Sequence, residues 1–181
     1  MSKETLAAAD WSQGYLHVYT GDGKGKTTAA LGLALRAAGA GLRVYIAQFI
    51  KGMPYAEHNA LARFAGQIDL EQHGRGCFIR GAPEQADIDA ARAGLEAVRR
   101  ALTRGYRLVV LDEANIATQL GLITVDALLK VIEARPADVE LVVTGRGADA
   151  RLLERADLVT EMREVKHYYT RGIEARSGVE M

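Results

Sequence analysis

Residues 20–28 read Thr-Gly-Asp-Gly-Lys-Gly-Lys-Thr-Thr, a set of residue types suited to holding phosphate groups. Gly21, Gly23 and Gly25 permit positive φ angles and a close backbone approach, so that successive N–H groups can form a concavity around an anion. Lys26 supplies a point charge and Lys24 a second one beside it. Thr27 offers a hydroxyl to a divalent metal, and Asp22 and Thr28 complete the stretch. A helix starting at this point adds its dipole to the attraction. The phosphate-loop pattern G-x-x-x-x-G-K-[ST] is met except at its first position, where Thr20 replaces glycine. A Gly- and Lys-rich surface turn is the bland alternative, and the strand-like run before the loop and helix-like run after it favour ATP binding instead.

Asp112 and Glu113 end an apolar run, which would deliver carboxylates to the carboxyl edge of a sheet beside the loop, to hold Mg²⁺ directly or through water. Acidic residues after a buried strand also occur simply where a loop meets solvent. The pairing with the phosphate loop is what favours the metal role. These two motifs bind a nucleoside triphosphate without saying which bond breaks. Phosphoryl transfer, hydrolysis and nucleotide sensing all stay open at this point.

The elements that must position these residues alternate along the chain. Strands are expected at residues 15–19, 42–50, 68–72, 107–111, 140–143 and 158–162. Helices are expected at 27–38, 57–65, from Pro83 in a first turn to about 104, at 125–134 with Thr124 as N-cap, and through Leu152 and Leu153. Such alternation predicts an α/β fold: a mostly parallel sheet of five or six strands with helices on both faces. Residues 73–83, with three glycines, two arginines and an aromatic, read as the most loop-like region and a place for ligand contacts.

The 181 residues suffice for one domain with a sizeable core, expected over residues 13–181, with a mobile arm at 1–12. Lys plus Arg and Asp plus Glu both total 23, so no overall field draws the chain to nucleic acid or a membrane surface, and neither is expected as a partner. The single cysteine, Cys77, excludes an intramolecular disulfide and fits a reducing compartment. No apolar run suits a secretory signal or a spanning helix, so a cytoplasmic location is expected.

From residue 15 onward the chain resembles the ATP:corrinoid adenosyltransferases that act on cob(I)yrinic acid a,c-diamide and cob(I)alamin. The resemblance is carried by five blocks in order: Val18-Tyr19-Thr20-Gly21-Asp22-Gly23-Lys24-Gly25-Lys26-Thr27-Thr28, Gln48-Phe49-Ile50-Lys51-Gly52, Val110-Leu111-Asp112-Glu113, Thr144-Gly145-Arg146-Gly147 and Val165-Lys166-His167. It implies a RecA-like sheet of the P-loop NTPase class, a homodimer, and transfer of the 5′-deoxyadenosyl group of ATP to cobalt with release of triphosphate. It also implies Mg²⁺ or Mn²⁺, a corrinoid as second substrate and a reduced flavoprotein as electron donor. By the same analogy Lys26, Lys24 and the loop glycines serve a departing triphosphate, Thr27, Asp112 and Glu113 contact the metal, and Arg36 lies near the nucleotide. An exposed helical arginine is the alternative for Arg36.

In the family, the loop corresponding to residues 74–81 carries a Phe-x-Trp pair that packs on the corrin and helps displace the lower axial ligand. Here the segment reads Gly76-Cys77-Phe78-Ile79, which leaves Phe78 as the aromatic for that role from a shifted position. Glu71-Gln72-His73-Gly74-Arg75-Gly76 nearly matches the D-x-H-x-x-G cobalt-ligating pattern. It is rejected, because an axial imidazole makes Co(II) harder to reduce, and His73 is expected to be a polar loop residue. A nucleotide switch or regulatory ATPase and a small-molecule kinase are the competing readings.

Overall fold

The computed structural model describes residues 11–76, 79 and 81–180. Six parallel strands form one sheet: β1 (Leu16–Thr20), β2 (Val44–Lys51), β3 (Ile68–Gly76), β4 (Leu108–Asp112), β5 (Glu140–Thr144) and β6 (Leu158–Glu161). Their order is β3-β2-β4-β5-β1-β6. The helices are α1 (Lys26–Gly39), α2 (Ala56–Leu61), α3 (Gln85–Ala101), α4 (Ala114–Gln119), α5 (Val125–Glu133) and α6 (Ala150–Arg155). A 3-10 turn follows α2 at Ala62–Phe64 and another lies at Tyr168–Arg171.

The central strands read as near-continuous apolar runs because both faces are covered. Side-chain alternation sorts them. Tyr45, Ala47, Phe49, Val109, Leu111, Leu141 and Val143 pack with α3, α4, α5 and α6. Val44, Ile46, Leu108, Val110 and Val142 face α1 and α2. On α1 the buried positions are Ala30, Ala34, Ala37 and Ala38, a helical stripe of small side chains that lets the helix lie close to the sheet. At the α3 face, a Cβ added to Gly94 would come within 2.9 Å of His73 and Phe49, so glycine there permits α3 to approach β2 and β3.

Several local expectations need correction. The loop expected from His73 begins later, since β3 continues to Gly76, paired with Lys51 of β2 across a register shift between Phe49 and Lys51. Glycines in a strand allow close backbone approach: a Cβ on Gly74 would lie 2.3 Å from the carbonyl carbon of Ile50. His73 is accordingly a largely buried strand residue beside Phe49, at 6.1 Å between ring centroids, and not a polar loop residue. Pro83 lies outside its helix, which Glu84 caps and which ends at Ala101. α4, six residues long and starting directly after Glu113, was not expected from the sequence. Thr124 does cap α5, its side chain accepting from the Ala127 N–H at 3.1 Å.

Of the arm expected at residues 1–12, only Trp11 and Ser12 fall within the described residues. The indole N–H of Trp11 donates to the Asp138 carbonyl at 3.2 Å, and the Arg107 guanidinium lies over its ring at 5.3 Å. Among the described residues no helix is long and apolar enough to cross a membrane.

Candidate active site

The loop between β1 and α1 takes its shape from two kinds of glycine. Gly21 and Gly25 have φ of 90° and 118°, in the left-handed region closed to most side chains. Gly23 is needed for proximity: its N–H donates to the Met162 carbonyl at 2.7 Å, and a Cβ there would lie 2.7 Å from that same oxygen. The loop is thus docked on the chain just after β6. Thr20, the departure from the glycine pattern, is buried and its hydroxyl accepts from the Ala148 N–H at 3.3 Å, tying the loop to the segment after β5. Asp22, Lys24 and Thr28 are exposed around the rim. Lys24 also reaches the C-terminal segment, donating to the Val179 carbonyl at 2.9 Å.

Lys26 is buried at the first turn of α1, where its ammonium donates to the carbonyls of Gly21 and Gly23, each at 2.6 Å. Burial lowers its pKa, partly opposed by Glu113, so the charge is held in a place where water screens it poorly.

Beside it, three neighbouring strands end on the α1 face with polar residues. Gln48 of β2 pairs in register with Asp112 of β4, and Thr144 ends β5 on the other side. Asp112, only 1% exposed, accepts four hydrogen bonds. Its Oδ1 takes the hydroxyls of Thr27 at 2.8 Å and Thr144 at 2.7 Å. Its Oδ2 takes Gln48 Nε2 at 3.2 Å and Lys51 Nζ at 2.8 Å. Lys51 would point to the opposite face in an unbroken strand. Ile50, with φ of 67°, interrupts the alternation and returns Lys51 to the carboxylate. Burial of Lys51 works against its charge, but Asp112, with Glu113 and Glu57 adding, outweighs that and raises its pKa.

Glu113 has φ of 61°, an unusual conformation for a residue with a side chain, and it caps α4. Its N–H donates to Thr144 Oγ1 at 3.0 Å. Burial and the adjacent Asp112 raise its carboxyl pKa, while Lys51, Lys26 and Arg146 pull it down in part. Arg146 follows Gly145, whose φ is 129° and whose missing Cβ leaves room for Asn115. The buried Asn115 amide donates to the Gly145 carbonyl at 3.0 Å.

The structure therefore brings together Thr20 to Thr27, Asp112 and Glu113. It does not bring Arg36 to the loop: Arg36 is exposed in the last turn of α1, about 15 Å along the axis from Lys26 at the rise of a helix. Phe78 lies outside the described residues, as does Cys77. Gln48, Lys51, Thr144 and Arg146 were not singled out as site residues from sequence, although the Gln-Phe-Ile-Lys-Gly and Thr-Gly-Arg-Gly blocks contained them.

Residues 12–181 match the model of a family described as ATP:corrinoid adenosyltransferase BtuR/CobO/CobP. The chain is 41% identical over 179 residues to a corrinoid adenosyltransferase of Pseudomonas aeruginosa, covering 98% of this chain and 88% of that protein. It is 34% identical over 177 residues to corrinoid adenosyltransferase CobA of Salmonella typhimurium, covering 97% and 89%. A corrinoid adenosyltransferase of Escherichia coli K12 is 33% identical over 177 residues, with the same coverage.

Proposed function

The chain belongs to the ATP:corrinoid adenosyltransferase family, and from that premise we propose that it transfers the 5′-deoxyadenosyl group of ATP to Co(I) of cob(I)yrinic acid a,c-diamide or cob(I)alamin. Cobalt supplies the electron pair that forms the Co–C5′ bond. The C5′–O bond breaks, and inorganic triphosphate leaves with that bond's electrons. Co(I) is so strong a nucleophile that a general base has little to contribute. The protein's tasks are alignment of C5′ and stabilisation of charge on the leaving group.

The observation that best supports this reading is the buried Lys26 ammonium at the phosphate loop, close enough to feel the charge of Arg146 and set beside the Thr27–Asp112 pair, with Lys24 exposed at the loop's rim. These cations bind and orient the triphosphate end, which leaves the ribose carbon directed away from the loop. Thr27 and Glu113 offer the hard oxygen donors that Mg²⁺ or Mn²⁺ takes, and such an ion would add positive charge beside the phosphates. Asp112, with both oxygens filled by hydrogen bonds, would hold the Thr27 hydroxyl toward the ion or reach it through water. We further propose that residues 13–181 act as one unit, that the enzyme works as a homodimer in the cytoplasm, and that a reduced flavoprotein supplies the electron for Co(II). Phe78 is assigned the displacement of the lower axial ligand.

Anaerobic incubation with ATP, Mg²⁺ and chemically reduced corrinoid tests the reaction. A light-sensitive cobalt–carbon bond formed together with triphosphate is the expected result. ADP and phosphate without alkylated corrinoid would instead indicate an ATPase or nucleotide switch. Phe78→Ala is expected to impair turnover chiefly when Co(II) is supplied with a reductase. Unchanged reductase-coupled turnover would remove Phe78 from that role.

A further inference from the structure

The Asp112 carboxylate is held from a side that the phosphate loop does not reach. His58 lies in α2, and its Nδ1 accepts the Tyr55 backbone N–H at 3.2 Å. That contact leaves the proton of a neutral ring on Nε2, which lies 2.9 Å from Gln48 Oε1. The Gln48 amide must therefore present its oxygen to His58 and its nitrogen to Asp112 Oδ2. Gln72 Nε2 approaches the same Gln48 oxygen from β3 at 3.4 Å, a weaker contact.

Gln48 is fully buried, so which end of its amide faces the carboxylate is decided by protein groups. Reversed, its oxygen would oppose a carboxylate oxygen at hydrogen-bond distance, and Asp112 would have to turn away. Turning Asp112 disturbs Oδ1, on which the Thr27 hydroxyl depends. We infer that His58 is a positioning residue for the adenosyl-transfer site, acting through the Gln48 amide to set the orientation of the Asp112 carboxylate and the Thr27 hydroxyl. The inference rests on the metal–ATP reading of that site.

Two substitutions separate this role from simple support of α2. His58→Asn places an amide oxygen where Nδ1 stood, retaining the acceptor for Tyr55, but it is too short to reach Gln48. His58→Gln places an amide nitrogen near the position of Nε2, restoring the donor to Gln48 and losing the acceptor for Tyr55. The full chain is titrated with Mn²⁺ in the presence of ATP, following bound metal by electron paramagnetic resonance. His58→Asn is expected to weaken apparent metal affinity by about tenfold, the low end for loss of a group that orients a metal ligand, with His58→Gln close to the unsubstituted protein. The reverse order, or two variants that both bind normally, overturns the inference. The product assay is independent: unsubstituted protein that binds Mn²⁺ and ATP but forms ADP would overturn the proposed reaction, while the order of the two variants would still decide the role of His58.

Discussion

Asp112 accepts two hydrogen bonds at each carboxylate oxygen, from residues on three different elements, α1, β2 and β5. A carboxylate so enclosed is stiff, and its charge is matched by Lys51 on one side and two hydroxyls on the other. The same enclosure burdens its neighbour. Glu113 is largely buried beside Asp112, and its proton is held more tightly in the folded state than in the unfolded chain. The stabilisation associated with that proton is fully present below the ordinary glutamate pKa and is lost as pH rises through the raised value. Glu113→Gln cannot ionise, so it is expected to be more stable than the unsubstituted protein at neutral pH, with the difference shrinking on acidification. Urea unfolding across the pH range measures this, and a difference independent of pH would contradict the assignment. Lys26→Ala removes the charge buried beneath the loop and is expected to abolish turnover at any corrinoid concentration, as read by triphosphate release.

Elements decide whether those residues meet. The loop before α1 is shaped at Gly23 by contact with the chain after β6, so β6 supports the phosphate loop without contributing a reacting group. Gly23→Ala forces a methyl group against the Met162 carbonyl. It is expected to cost about 1–3 kcal/mol by overpacking and to weaken ATP binding with it. Unfolding and equilibrium ATP titration measure the two effects, and a fully stable variant with normal ATP affinity would show that the loop does not depend on this contact. At α5, Thr124→Ala removes a cap whose hydroxyl bonds within its own helix and is expected to cost about 1 kcal/mol without changing turnover. The contrast between these two variants separates elements that serve the site from elements that only support the sheet.

Across the whole molecule, the site lies at the carboxyl ends of β1, β2, β4 and β5, so any ligand bound there contacts the most buried strands. ATP with Mg²⁺ at about 100 times its dissociation constant should stabilise the folded state by about 2.7 kcal/mol. For a chain of this size that corresponds to a rise in Tm of about 5–10 °C. Differential scanning fluorimetry checks it, and Lys26→Ala is expected to lose most of the shift. No shift with the unsubstituted protein would argue against nucleotide binding at this loop.

Residues 20–28 and the Asp112–Glu113 pair were legible in the sequence because each is contiguous, and the apolar runs disclosed the strand and helix alternation because that pattern is local. β3 was read short since its glycines suggest a loop when considered alone, whereas pairing with β2 keeps them extended. Gln48, Lys51 and Thr144 lay within recognisable blocks that did not disclose their roles, and His58 lay in none. Gln48, Lys51 and Thr144 converge on Asp112, with His58 behind Gln48, only through the strand order, the matching register of β2 and β4, and the interruption at Ile50 that restores Lys51 to the α1 face. The sequence by itself determined which groups could bind a triphosphate and how the chain divides into elements. The tertiary structure alone decided which side chains surround the carboxylate, because strand neighbours and register are set by contacts between residues far apart in the chain.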